Sequence, residues 1–280
     1  RGQSIIAHPA IYALSLAAYC TAWTFFGSVG KAATSGVTFL TIYLGPTIIA
    51  FSWWFGLRKL LRICKENNLT TLPDFLSLRY GKGAFLGALA TVGILLAITP
   101  YIGLQLKSIA DTLHLLVNLK VPTQELIPIY EDTALYAALL LALFGILFGA
   151  RHLDPTERHE GLVAVVVFES LIELIAFISV GLFVTFGLFG GFGEIFSQIQ
   201  AHPRFGQLLL VNTGPHNSYT LLLVLTLLAM GAIHFLPRMF HMAVVENTNE
   251  RHILTATWLF PLYLVLMNLF VLPIAWGGLL

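Results

Sequence analysis

Two places in this sequence gather residue types that can hold a small solute. The first is Tyr19-Cys20-Thr21-Ala22-Trp23-Thr24-Phe25-Phe26-Gly27-Ser28, where hydroxyls, aromatic rings and small residues interrupt an apolar run. The second, Met230-Gly231-Ala232-Ile233-His234-Phe235-Leu236-Pro237-Arg238, sets Gly, His, Pro and Arg close together in another apolar run. A helix in lipid normally avoids breaks, because freed backbone groups find no water there, so a broken helix is expected to face a cavity or other protein. Corresponding interruptions in two helices point to a solute site near the membrane midplane. Thr21, Trp23 and Thr24 on the first and His234 on the second are the candidate substrate-binding residues. Taken singly, Gly27 and Gly30 also suit close helix packing and Pro237 also suits a helix end.

Ionisable residues inside apolar runs form a second set. Glu169 and Glu173 are four apart, on one face of a helix. A carboxylate in hydrocarbon costs about 2.5 kcal/mol or more unless it meets a polar cavity, a cation or a proton. We therefore expect Glu169 to face the helix bundle, sharing an interior polar network with Glu173. Lys107 and Asp111 are also four apart and can neutralise one another near the outer end of their helix. Lone histidines such as His114 and His234 are more often packing residues than ligands, and no metal-ligand spacing emerges. Paired metal ligands, a Ser-Lys arrangement and an aspartate dyad are all lacking from the apolar runs, so an intramembrane protease finds no support.

The elements that must position these residues follow from composition. Of 280 residues, 57% are hydrophobic and 10% charged, against about 25% charged in a soluble domain. So little charge cannot cover a water-facing surface, and lipid must be the solvent. The net charge of +1 speaks against nucleic acid as a partner. Cys20 and Cys64 are too few for a disulfide framework or a zinc site. The expected fold is an all-α integral membrane bundle.

Uncharged runs long enough to span the hydrocarbon as helices fall at roughly residues 9 to 33, 37 to 61, 84 to 118, 134 to 150, 161 to 189, 219 to 243 and 253 to 280, which predicts seven transmembrane helices. The third is too long for the bilayer and the fourth short. Arg1, Arg58, Lys59, Arg62, Lys65, Arg79, Lys82, Arg151, Arg158, Arg238 and Arg251 fall on one side, against Lys31, Lys120 and Arg204 on the other. Basic residues resist translocation, so the richer side is cytoplasmic. Glu125, Glu131, Asp132 and Glu194 then lie outside, and the loops at 70 to 83 and 151 to 160 inside. Pro73 suits the first turn of a short surface helix carrying Leu72, Phe75, Leu76 and Leu78, expected to lie flat on the membrane. The chain lacks an initiating Met, and VLPIAWGGLL stops inside an apolar run. Residues 1–280 are therefore expected to be one transmembrane domain truncated at both ends.

Several segments resemble the sodium/solute symporter family: TLPDFLSLRYG, AITPYIGLQLKSIA, EGLVAVVVFESL and GAIHFLPRMFHMAV. The resemblance runs over nearly the whole chain. AHPAIYALSLAAYCTAWTFFGSVGKAATSG further resembles the transporter domain at the N-terminus of certain bacterial sensor histidine kinases. The resemblance implies a LeuT-type fold of two inverted five-helix repeats, of which this chain would supply the first repeat and two helices of the second. It implies a small organic solute, an amino acid or carboxylate, and sodium as the coupling ion, held partly by backbone carbonyls matching those of Ala17 and Cys20. Two departures stand out. Tyr19 occupies a position that is polar or acidic in plain symporters, and the family's Thr-Asp is Phe168-Glu169 here. The implied setting is multi-pass in the bacterial cytoplasmic membrane, with the lipid bilayer and a fused or associated kinase module as partners. The competing readings are solute transport and nutrient sensing without transport.

Overall fold

The computed structural model describes residues 8–118, 130, 132–149, 160–211 and 218–280. Lys120, Glu125, Glu131 and the loop at 151 to 159 lie outside the described residues, as does Arg1. Among the described residues every regular element is helical, as the composition requires, since only a helix satisfies its own backbone within one lipid-exposed segment.

The chain opens with α1, Pro9–Ser15, and a 3₁₀ turn, Leu16–Tyr19. Cys20 and Thr21 are extended, and Thr21 caps α2, Ala22–Ser35. A 3₁₀ segment, Gly36–Leu40, leads into α3, Thr41–Ala50. Then come α4, Gly56–Glu66, and α5, Leu72–Arg79. The long α6, Ala84–Asn118, is followed by α7, Thr133–Phe144, and α8, Glu160–Leu182. The rest of the bundle is α9, Phe192–Ala201; α10, Tyr219–Phe235; α11, Pro237–Phe240; α12, His252–Asn268; and α13, Val271–Gly277.

Among the described residues, helices long and apolar enough to cross a membrane number four, or five if the bent pair Tyr219–Phe235 and Pro237–Val245 counts as one span. Seven spans were expected. The difference arises because residues 22–50 run on as one helical stretch, while Pro9–Tyr19 and Thr133–Leu147 are shorter than the hydrocarbon layer. At 35 residues, α6 is about 50 Å long by helical rise, well beyond the hydrocarbon thickness. The short helix expected near Pro73 forms as α5, with Thr71 Oγ1 accepting from the Asp74 amide at 3.2 Å. α5 packs on α6, with Leu72 buried and Phe75 against the core.

The core lies where α1, α12 and α8 meet and where α3 lies along α10. At Gly45 a Cβ would come within 2.6 Å of the Met230 amide and the Thr226 carbonyl, so only glycine lets α3 and α10 approach this closely. Trp53 stacks on Phe260 at 5.2 Å, and Phe196 of α9 meets Trp276 of α13 edge-on at 4.8 Å. In contrast, α6 keeps most of its apolar surface outward.

Candidate functional site

The two interruptions face one another. In the first, Cys20 and Thr21 adopt extended backbone angles between the Leu16–Tyr19 turn and α2. Thr21 is a favoured residue at a helix start, and its amide donates to Thr24 Oγ1 at 3.0 Å. In the second, Leu236 is extended because it precedes Pro237, and α10 and the following helical segment bend by 55°. Arg238 spans the gap, its guanidinium Nη2 donating to the Tyr19 carbonyl at 3.0 Å.

A cavity of about 300 Å³ opens between these breaks and α6, with Thr21, Trp23 and Thr24 in its wall. Tyr19, Tyr43, Tyr101, Gln105 and Arg238 supply its other polar groups, and Ile42, Leu104, Ala232 and Leu236 its apolar ones. Gln105 ties α6 to the start of α2, since its Oε1 accepts from the Trp23 amide at 3.2 Å. The Tyr101 ring carries the Arg238 guanidinium at 5.2 Å, and the Tyr19 hydroxyl donates to the Ile42 carbonyl at 3.0 Å. Two further hollows flank this cavity along α6, one beside Thr91, Ile94 and Pro237, the other beside Trp23, Leu104 and Lys107.

The remaining predicted residues are placed as follows. His234 stands apart from the cavity. Its Nδ1 lies 3.4 Å from the Met230 carbonyl, and its ring meets Trp53 edge-on at 6.3 Å in a small apolar hollow with Leu16 and Leu60. In an unbroken helix His234 and Arg238 would share a face; the break at Leu236 separates them, and Arg238 takes the wall position. Arg238, counted among the cytoplasmic basic residues, is thus turned into the bundle. Ala17 and Cys20 are both buried, and the Ala17 carbonyl accepts from the Cys20 amide at 2.8 Å within the 3₁₀ turn.

The expected interior network does not form as one unit. Lys107 and Asp111 pair at 3.3 Å on exposed surface in the outer flanking hollow. Glu169 is exposed, and Glu173 is half-buried. The buried stripe of α8 runs through Val163, Val167, Ser170 and Phe177, with the Tyr263 hydroxyl donating to the Ser170 carbonyl at 3.0 Å. Glu169 lies roughly 120° of helical rotation from that stripe and Glu173 roughly 80°. No hydrogen bond or ion pair joins the two acidic residues to Lys107 and Asp111 among the described residues. The polar cavity residues that the sequence reading did not single out are Tyr43, Tyr101 and Gln105, while Arg238 was noted in the second interruption and counted on the cytoplasmic side. Gln105 was legible as a polar residue within an apolar run.

Residues 7–275 match the sodium:solute symporter family. The chain belongs to that family. Membership supports a symporter-like membrane protein. It is 40% identical over 95 residues to an uncharacterized symporter, YodF, of Bacillus subtilis (strain 168). That match covers 34% of this chain and 19% of the relative, so the chain spans well under two thirds of the relative's length. No solved structure matches it.

Proposed function

We propose that the chain binds a small organic solute in the cavity between its two broken helices and moves it with sodium by alternating access. The observation carrying this reading is the contact of Arg238 at the second break with the Tyr19 carbonyl at the first, beside a cavity walled by Thr21, Trp23 and Thr24. Membranes tolerate such irregular backbone where it lines a cavity. The arrangement is the one inverted-repeat transporters use, which supports a LeuT-type fold. Sodium, as co-substrate, would lie against the carbonyls of Ala17 and Cys20, where the helix loosens into a 3₁₀ turn.

The resemblance of residues 7–36 to sensor-kinase transporter domains supports a finer assignment, that this domain is the input module of a sensor histidine kinase in a bacterial cytoplasmic membrane. In the second reading solute binding is signalled without transport. Both are separated by uptake into proteoliposomes holding the full-length protein. With an inward sodium gradient, at least one amino acid or carboxylate should accumulate, and replacing sodium by choline should abolish uptake. Saturable, sodium-dependent binding with no accumulation would establish the sensory reading; accumulation indifferent to sodium would remove the coupling.

A further inference from the structure

The cations of α4 fall into two groups. Arg58 and Arg62 are paired with Glu250, and Lys65 donates to the Asn247 carbonyl. These three lie within about 60° of helical rotation, and Lys59 lies beyond them, on the side of Gly56, Leu60 and Ile63. That side borders a hollow of about 320 Å³, whose opposite wall is Phe75, Leu78 and Arg79, on one face of α5. Lys59 and Arg79 are both exposed, and among the described residues neither forms an ion pair; the Arg79 guanidinium meets the Tyr80 ring at 6.0 Å. At Gly56 a Cβ would meet nothing within 4 Å, so the hollow is open along α4 at that point. Phe55 and Tyr80, next in sequence to Gly56 and Arg79, are exposed, as aromatic residues commonly are at the level of lipid headgroups.

We propose that this hollow holds an anionic phospholipid, its phosphate between Lys59 and Arg79 and the start of its acyl chains along Leu60, Ile63, Phe75 and Leu78. The site is separate from the solute cavity and independent of what that cavity binds. Both halves of the ligand are matched. Clustered Lys and Arg beside membrane helices attract negative headgroups, and with Arg58, Arg62 and Lys65 committed to the 246–250 segment, Lys59 and Arg79 are left to serve one. A free phosphate leaves the apolar side chains uncovered, and a zwitterionic lipid brings its own cation beside the phosphate. By bridging Lys59 and Arg79, the lipid ties α4 to α5.

The test uses the full-length protein in a neutral detergent, with lipid retention read by native mass spectrometry and stability by melting temperature. The probes are phosphatidylglycerol, phosphatidylcholine with the same chains, glycerol 3-phosphate and inorganic phosphate. Phosphatidylglycerol should bind saturably and raise the melting temperature, with phosphatidylcholine about tenfold weaker or more. Lys59→Gln with Arg79→Gln should weaken phosphatidylglycerol about tenfold or more. Lys31→Gln with Lys107→Gln, an equal loss of charge from exposed lysines elsewhere, should not. Gly56→Leu keeps every charge and fills the hollow, so it should weaken the lipid by a similar factor. Single variants stand in for a pair, and Gly56→Met for the leucine, wherever elution is not as monodisperse as the wild type. Equal binding of the two lipids, or equal losses in the two paired variants, overturns the proposal. So does wild-type affinity in the Gly56 variant, which would leave only diffuse attraction between charges. Glycerol 3-phosphate or inorganic phosphate saturating as tightly as phosphatidylglycerol makes the ligand a soluble phosphate and overturns the lipid assignment. No saturable response to phosphatidylglycerol overturns the site.

Discussion

At the scale of single residues the cavity depends on groups that hold backbone as well as groups that could touch solute. Thr24 is buried, and its hydroxyl oxygen accepts the Thr21 amide that the break would otherwise leave unpaired. Thr24→Val keeps the shape and removes that acceptor. It should destabilise the folded protein by about 1 kcal/mol, the usual worth of a helix-start cap, and weaken solute binding as well. Thr24→Ser should restore both; melting temperature and fluorescence titration are the measurements. Glu169 illustrates the opposite case. Its four preceding residues, Val165, Val166, Val167 and Phe168, are all apolar and give no indication of which way the helix turns. Packing through Val163, Val167, Ser170 and Phe177 decides it, and leaves Glu169 outward.

At the scale of elements, the end of the bundle where α4 meets the segment before α12 is tied by charge. Glu250, between the second broken helix and α12, accepts from Arg62 Nε at 2.6 Å and from Arg58 Nη2 at 2.9 Å, both on α4. Lys65, one turn on, donates to the Asn247 carbonyl at 2.6 Å. The Arg62 hydrogen bonds, followed by that of Arg58, hold the Glu250 carboxyl down at about 2, well below the ordinary carboxylate value. A depressed value means that the ionised, paired form favours folding. That contribution is present in full above the ordinary carboxylate range and is lost as pH falls towards 2. The melting temperature of the wild type should therefore drop on acidification through this window. Glu250→Gln should be less stable at neutral pH and show a flatter acid limb; differential scanning fluorimetry across pH reads both, and added salt should narrow the gap.

At the scale of the whole molecule, orientation follows from the distribution of Lys and Arg. Taking Arg238 into the bundle removes one basic residue from the inner set and leaves the asymmetry intact. Arg58, Lys59, Arg62, Lys65, Arg79 and Lys82 all lie on or beside α4 and α5. A cysteine placed at Lys82, in a Cys20→Ser and Cys64→Ser background, should react with an impermeant maleimide only after the membrane is opened. Labelling in intact cells would reverse the topology.

What the sequence by itself determined is what depends on solvent and local chain chemistry. A charged fraction of 10% makes lipid the solvent and helix the structure. Pro237 forces Leu236 out of the helix, Thr21 starts a new one, and Thr71 with Pro73 starts α5. Those local rules placed both breaks and the wall residues Thr21, Trp23 and Thr24. Only the tertiary structure decided which side chains meet across the breaks. An apolar helix in lipid is hydrophobic all round, so periodicity does not reveal its inward face, and small differences in packing turn Glu169 out, set His234 against Trp53 and bring Arg238 to Tyr19. Gln105 and Tyr101 enter the site for the same reason: α6 lies against both breaks, a relation between segments some eighty and some one hundred and thirty residues away along the chain that no local signal encodes.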